Sequence, residues 1–130
     1  MTAPASSAAD WLGIEVASAE NDQAVLLMPT LAEMGEDGVV HGGFVALLAD
    51  TAMAQAMTTV LPEGARGRVF DLKLNFIAAP RIGEQLRAVA KVLHAGRRTG
   101  VAECGVQGEG GQLVATATAT FITQQPDLKT

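Results

Sequence analysis

The sequence predicts an α+β domain in which one antiparallel sheet wraps a single long helix. Three observations predict it. Residues 42–61, "GGFVALLADTAMAQAMTTVL", form one nearly unbroken apolar run, rich in the helix formers Ala, Leu and Met. Two segments before it and four after it carry the alternation or turn signals of strands. The chain has 130 residues, an ordinary size for one domain. It is 48% apolar, enough for a sizeable core, and only 18% charged, so part of its apolar surface is expected to lie against a second subunit.

Along the chain, residues 1–10 are expected as a flexible tail, 11–124 as the domain and 125–130 as a second tail. "SSAADWLGI" suits a short helical turn anchored by Trp11, Leu12 and Ile14. "GIEVASAENDQAVLLMPT" reads as two strands joined at Asn21-Asp22, with Pro29 closing the second. "LAEMGEDGVV", residues 31–40, reads as a loop carrying Gly35, Gly38 and three acids. The long helix follows, stopped by Pro62 and Gly64. Its apolar residues do not keep to one stripe, which predicts burial on all sides.

"RVFDLKLNFI" then alternates Val69, Asp71, Lys73 and Asn75 against Phe70, Leu72, Leu74 and Phe76. "EQLRAVAKVLH" opposes Leu86, Ala88, Ala90 and Val92 to Arg87, Val89, Lys91 and Leu93. "GRRTG" turns, "VAECGVQ" returns, "GEGG" turns again, and "QLVATATATFIT" closes with a clean period of two. The expectation is a four-strand antiparallel meander. One sheet cannot bury a helix on every side, which again asks for a second copy and a homodimer.

Charge narrows the partners. The net charge of -5 argues against nucleic acid. The first 65 residues hold nine acids and no Lys or Arg, whereas the remainder holds nine cations and five acids. That second half would meet a modest anion such as a nucleotide phosphate, or the bias is only solvated strand faces. A lone cysteine, Cys104, allows no intrachain disulfide and fits a reducing, cytoplasmic setting. "MTAPASSAADW" lacks the charged and apolar regions of a signal peptide. Asp50 and Gln55 interrupt the apolar run, so a buried helix is expected rather than a membrane span. His41 and His94 show no metal-ligand spacing with Cys104 or nearby acids, so no metal is expected. Ser6, Ser7 and Ser18 sit in no nucleophile elbow.

The segment "GVVHGGFVALLADTAMA" contains Gly-x-x-His-Gly-Gly, six residues, then Asp50. With "DLKLNF", "GRR" and "GGQLVATATATF", it resembles the PaaI-like (phenylacetate-degradation type) hotdog-fold acyl-CoA thioesterases over residues 12–123. The resemblance implies a sheet wrapped around the helix, sheets joined across a homodimer, and in many members a homotetramer. It implies hydrolysis of an acyl- or aryl-CoA thioester to the free acid and coenzyme A, which is part of the substrate, with no cofactor. It places the catalytic acid at Asp50 and coenzyme A contacts at Phe76, Ile77, Pro80, Arg81, His94, Gly96, Arg97, Arg98 and Thr99. Arginine forks suit phosphate, although a solvated hairpin tip would look the same. Met53, Ala54, Met57, Asn75 and Phe76 are candidates for the acyl slot, or core residues.

The residues fit that chemistry. A carboxylate in an apolar helix is disfavoured when ionised, and no cation in the helix offsets it. Asp50 either bonds a neighbouring backbone in the dimer or faces a cleft as general base or nucleophile. At the helix start the first N–H groups lack partners and the dipole favours negative charge. The Gly42 amide, with Gly43 second, therefore suits an oxyanion, while Gly-Gly would also permit close packing. His41 is expected to orient this turn rather than to move a proton. Gly42 and Asp50 are eight residues apart, roughly 12 Å along a helix, so one thioester carbonyl meets both only if they come from two chains. Two departures stand out. Gly35 occupies a position where the family often has Asn or Gln, and Val69 one where it often has Ser or Thr. They leave open a reduced rate, a substitute such as Glu36 or Asp37, or a non-catalytic acyl-CoA-binding hotdog domain; an unrelated ligand-binding or interaction module is a separate alternative.

Overall fold

The structure is a computed structural model and describes residues 7–125. Of the tails expected at 1–10 and 125–130, residues 1–6 and 126–130 lie outside the described residues. A short helix α1, Ser7–Trp11, leads into strands β1, Glu15–Glu20, and β2, Gln23–Pro29. Asn21 and Asp22 both take positive φ, 54° and 66°, the two-residue turn whose twist matches a hairpin. Of the expected N-terminal anchors, Leu12 is buried and Ile14 packs on the core, but Trp11 stands 82% exposed. Ala9 takes the inward position instead.

Residues 31–40 are more ordered than a loop. Ala32–Met34 makes a 3-10 turn, and β3, Gly35–Glu36, pairs with β4, Val39–Val40. Asp37 and Gly38, at φ 55° and 79°, form the tip of this miniature hairpin. The long helix α2 runs Gly42–Thr58 and stops a turn before Pro62. Thr59 N–H donates to Ala56 O at 3.1 Å and Val60 N–H to Met57 O at 3.0 Å, the tight bonds of a final turn. The Thr59 hydroxyl also donates to Ala56 O and accepts from Asp22 N–H at 2.9 Å.

Four strands follow: β5, Arg66–Phe76; β6, Gln85–Ala95; β7, Thr99–Gln107; and β8, Leu113–Gln124. They do not form the expected four-strand meander. The sheet order is β1-β2-β6-β7-β8-β5, so β2 takes the flank of β6 and β5 crosses to the edge beside β8. The physical reason lies in the inward residues. β2 presents Ala24, Leu26 and Met28 with no exposed surface, which suits an interior strand. β5 carries a register shift between Val69 and Asp71. That bulge puts Val69 opposite the inward Phe121 and leaves Phe70 at 72% exposure, breaking the simple alternation of the sequence.

The core lies between α2 and the concave face of the sheet. Alanines at 24, 88, 90, 102, 115, 117 and 119 keep that face shallow, so Leu48, Met53 and Met57 of the helix sit close to the strands with no exposed surface. Cys104 belongs to the same layer, and burial pushes its thiol up to about 12. The helix is not enclosed on all sides within one chain. Ala46, Leu47, Asp50 and Ala54, at helical spacing, form a half-buried stripe on the side away from the sheet. No helix among the described residues is long and apolar enough to cross a membrane.

Candidate active site

The helix start is built by its lead-in. His41 caps α2 with extended torsions (φ -65°, ψ 134°), and its Nδ1 accepts from Gly43 N–H at 3.3 Å. Accepting at Nδ1, the ring braces the turn that enters the helix. His41 N–H donates to Met34 O at 2.7 Å and Val40 N–H to Pro80 O at 2.9 Å. These bonds hold β4 and the first turn of α2 between the 3-10 turn and the loop after β5. Gly42, the first helical residue, has an N–H with no intrahelical partner by geometry.

An apolar groove of about 340 Å³ opens beside Gly42. Val39, Val40 and Val45 form one wall, and Phe76, Ile77 and the Ala78–Pro80 turn form the other. Phe76 is 56% exposed and its ring tip lies against Gly42, where a Cβ would stand 3.1 Å from Cζ. Glycine therefore lets the aromatic ring approach the helix start. The absence of polar side chains in the walls leaves main-chain groups as the polar contacts available there.

Asp50 sits two turns further along, in the half-buried stripe. Burial raises its carboxyl above the ordinary 3.8, with no lowering contribution from any hydrogen bond or cation. Its helical neighbours Ala46, Leu47 and Ala54 offer nothing polar. A carboxyl so placed is disfavoured in its ionised form, and perturbed acids of this kind cluster at functional sites.

The remaining predicted residues divide between the two ends of α2, a helix of 17 residues and about 25 Å. Ile77, Pro80 and Arg81 lie at the Gly42 end; Pro80 is buried, and Arg81 N–H donates to Glu84 at 3.0 Å. His94, Gly96, Arg97, Arg98 and Thr99 make the β6–β7 turn at the other end, closed by Gly96 N–H to Thr99 O at 2.8 Å. A hollow of about 670 Å³ separates that turn from Val60, Leu61 and Pro62. Within one chain the two halves of the expected coenzyme A set do not meet. Nor do all the acyl-slot candidates. Met53 and Met57 are fully buried against the sheet, and Met57 fills the space over Gly100. Ala54 shares the half-buried stripe with Asp50. Asn75 pairs with Thr116 on the outer face of the sheet, away from the helix.

Two features were missed in the sequence. The valines ahead of His41 form a groove wall, signalled only by the Asp37-Gly38 turn that folds them back. Thr123, beside the arginine turn, has a buried hydroxyl without a hydrogen-bond partner among the described residues. Among the described residues no group of three metal-ligating side chains converges.

The profile of the thioesterase superfamily matches residues 37–115, which include the tip and second strand of the hairpin, α2 and strands β5 to β7. The chain belongs to the thioesterase superfamily. It is 35% identical over 92 residues, 69% of its length, to acyl-coenzyme A thioesterase PaaI of Escherichia coli (strain K12). That match spans 63% of the E. coli protein, a little under two thirds. Its fold superposes on a conserved protein of Pseudomonas aeruginosa with TM-score 0.85 and 32% identity, covering 92% of this chain and 94% of that one. It also superposes on the E. coli PaaI protein from the phenylacetic acid degradation operon, with TM-score 0.86, 28% identity and coverage of 93% and 86%. The fold is thus the hotdog fold, and the PaaI-like resemblance read from "GVVHGGFVALLADTAMA" is borne out.

Proposed function

We propose that this superfamily member hydrolyses an acyl- or aryl-CoA thioester to the free acid and coenzyme A. The observation that carries the reading is Asp50: a half-buried carboxylate on α2 with no hydrogen-bond or ionic partner among the described residues. Its place after His41-Gly42-Gly43 matches the acid of the family motif. The Gly42 N–H, at the positive end of the helix dipole, binds the thioester oxygen as charge develops on it. Asp50 then either removes a proton from the attacking water or attacks the carbonyl itself, and both roles need it ionised.

The site is shared between two copies. Gly42 and Asp50 lie about 12 Å apart on one helix, too far to act on one carbonyl. β5 is an open edge of eleven residues, and Val69, Phe70, Phe76 and Ile77 are exposed on or beside it. Antiparallel pairing of two such edges brings the Gly42 end of one chain toward the arginine-turn end of the other. That arrangement unites the two separated halves of the coenzyme set, with Arg97 and Arg98 on the phosphates. It also covers the half-buried stripe of α2.

The test is thiol release from a panel of aryl- and alkyl-CoA thioesters by wild type and Asp50→Asn. Turnover by wild type with a loss of about a hundredfold in the variant is expected for a base or nucleophile. A wild-type protein that binds acyl-CoA, seen as a raised melting temperature, but releases no thiol would replace hydrolysis with binding alone.

A further inference from the structure

We propose that Gly35 is a positioning residue for the oxyanion amide, acting through the β3–β4 hairpin; the proposal rests on the hydrolase reading above. Gly35 has φ -167° and ψ -169°, extended torsions open to any residue. What demands glycine is space. A Cβ there would overlap the Val39 carbonyl oxygen and stand 2.7 Å from its carbon and 2.9 Å from Val40 Cα. All three atoms are main chain, so no rotamer change relieves the conflict. Gly38 makes the contrast within the same hairpin: its φ of +79° needs glycine, yet nothing lies within 4 Å of its Cβ position.

The conflict points straight at the site. Val39 and Val40 are the two residues before His41, and they pair with Glu36 and Gly35. His41 N–H is bonded to Met34 O, the residue before Gly35. On the far side, Val40 N–H bonds Pro80 O, Ile82 N–H bonds Gly38 O, and Val39 bridges Arg81. The hairpin is clamped on both flanks, so any side chain at position 35 drives Val39 and Val40 along the chain toward the cap. The first group beyond the cap is the Gly42 amide. The same two valines wall the groove, so its width moves with them.

The expected consequence is a loss in kcat more than in KM. The amide acts on charge present in the transition state, and its misplacement leaves ground-state binding largely intact. A displacement of about 1 Å in a positioned group is worth on the order of a hundredfold. It follows that Asn at this position, the polar residue frequent in relatives, lowers turnover here rather than restoring a lost helper.

The experiment compares wild type, Gly35→Ala, Gly35→Asn and Glu36→Gln on the best acyl-CoA of the panel. It measures kcat, KM, coenzyme A affinity by calorimetry, and melting temperature. The proposal expects kcat lowered roughly ten- to a hundredfold in both Gly35 variants, with coenzyme A affinity and cooperative melting retained. Glu36→Gln, exposed on the same hairpin and adding no bulk, should keep wild-type kcat. Wild-type kcat in either Gly35 variant overturns the proposal. So does a parallel fall in kcat, coenzyme A affinity and melting temperature, which marks general loss of structure. An equal loss in Glu36→Gln overturns it too, by assigning the hairpin's role to a carboxylate. A wild-type protein that releases no thiol sinks the hydrolase reading and this proposal with it, whereas turnover that ignores position 35 sinks only the latter.

Discussion

In the proposed hydrolase, Asp50 sets stability against function in one side chain. Burial holds its carboxyl above the ordinary 3.8, so the folded state takes up a proton more readily than the unfolded one. With a raised folded value, the ionised group works against folding at neutral pH, and that handicap is lifted as pH falls through the raised pKa toward 3.8. Asn carries no charge at any pH. Asp50→Asn is therefore expected to melt several degrees higher than wild type at pH 7 while losing turnover, with the gap closing as pH approaches 4. Calorimetric melting of both proteins from pH 8 to pH 4 checks this, and a variant that melts lower at pH 7 would mean the carboxylate has a stabilising partner in the dimer. At this scale the sequence was informative because the signals are local. A cap, a Gly-Gly start and an acid in a greasy helix need only neighbouring residues to be read. The roles of Met53, Met57 and Ala54 were not legible, since an apolar helix gives no stripe to say which side meets the sheet.

Among the elements, the joint between β5, β6 and the β7–β8 turn is tied by the half-buried Glu84. Glu84 accepts from Arg81 N–H at 3.0 Å, from Glu109 N–H at 3.0 Å and from Gln112 Nε2 at 3.2 Å. Glu109 returns the contact by accepting from Gln85 N–H at 2.9 Å. The Arg81 and Glu109 amides hold the Glu84 carboxyl below its ordinary 4.5. For a lowered carboxyl the stabilisation is present above 4.5 and is lost as pH falls through the folded value. Glu84→Gln should lower the melting temperature at pH 7 and converge on wild type at pH 3. A constant offset across that range would show that shape rather than charge matters. The elements themselves were mostly legible. Both turns with asparagine or aspartate at positive φ had their chemistry in the sequence, although Asp37-Gly38 was read as loop because only two residues flank it on each side. The sheet order was not legible. Alternation tells which face of a strand is buried and says nothing about which strand lies beside it. The Phe70 bulge was hidden for a related reason, because inserting one residue preserves a plausible alternation on either side of it.

At the scale of the whole molecule, the proposed hydrolysis requires a site shared between chains. One helix carries both the proposed oxyanion donor and the proposed acid, and its own length keeps them apart. In a two-fold dimer each site takes Gly42 from one chain and Asp50 from the other, so damage to the two residues is separable. Asp50→Asn removes the acid from both sites of a homodimer. Gly42→Val obstructs the donor in both, since even its Cβ would press on Phe76, 3.1 Å from Cζ. Each variant alone is expected to be nearly inactive. Co-refolding them in equal amounts makes half the dimers mixed, and every mixed dimer holds one intact site and one doubly damaged site. Thiol release should then recover to about a quarter of the wild-type rate per dimer, the figure set by random pairing of two equivalent chains. Tagging each variant differently and isolating the mixed species should raise recovery to about half. Mixed dimers that stay as inactive as their parents would put both residues in one site on one chain, which the helix spacing forbids for a shared carbonyl. That result would force Gly42 or Asp50 out of the reaction.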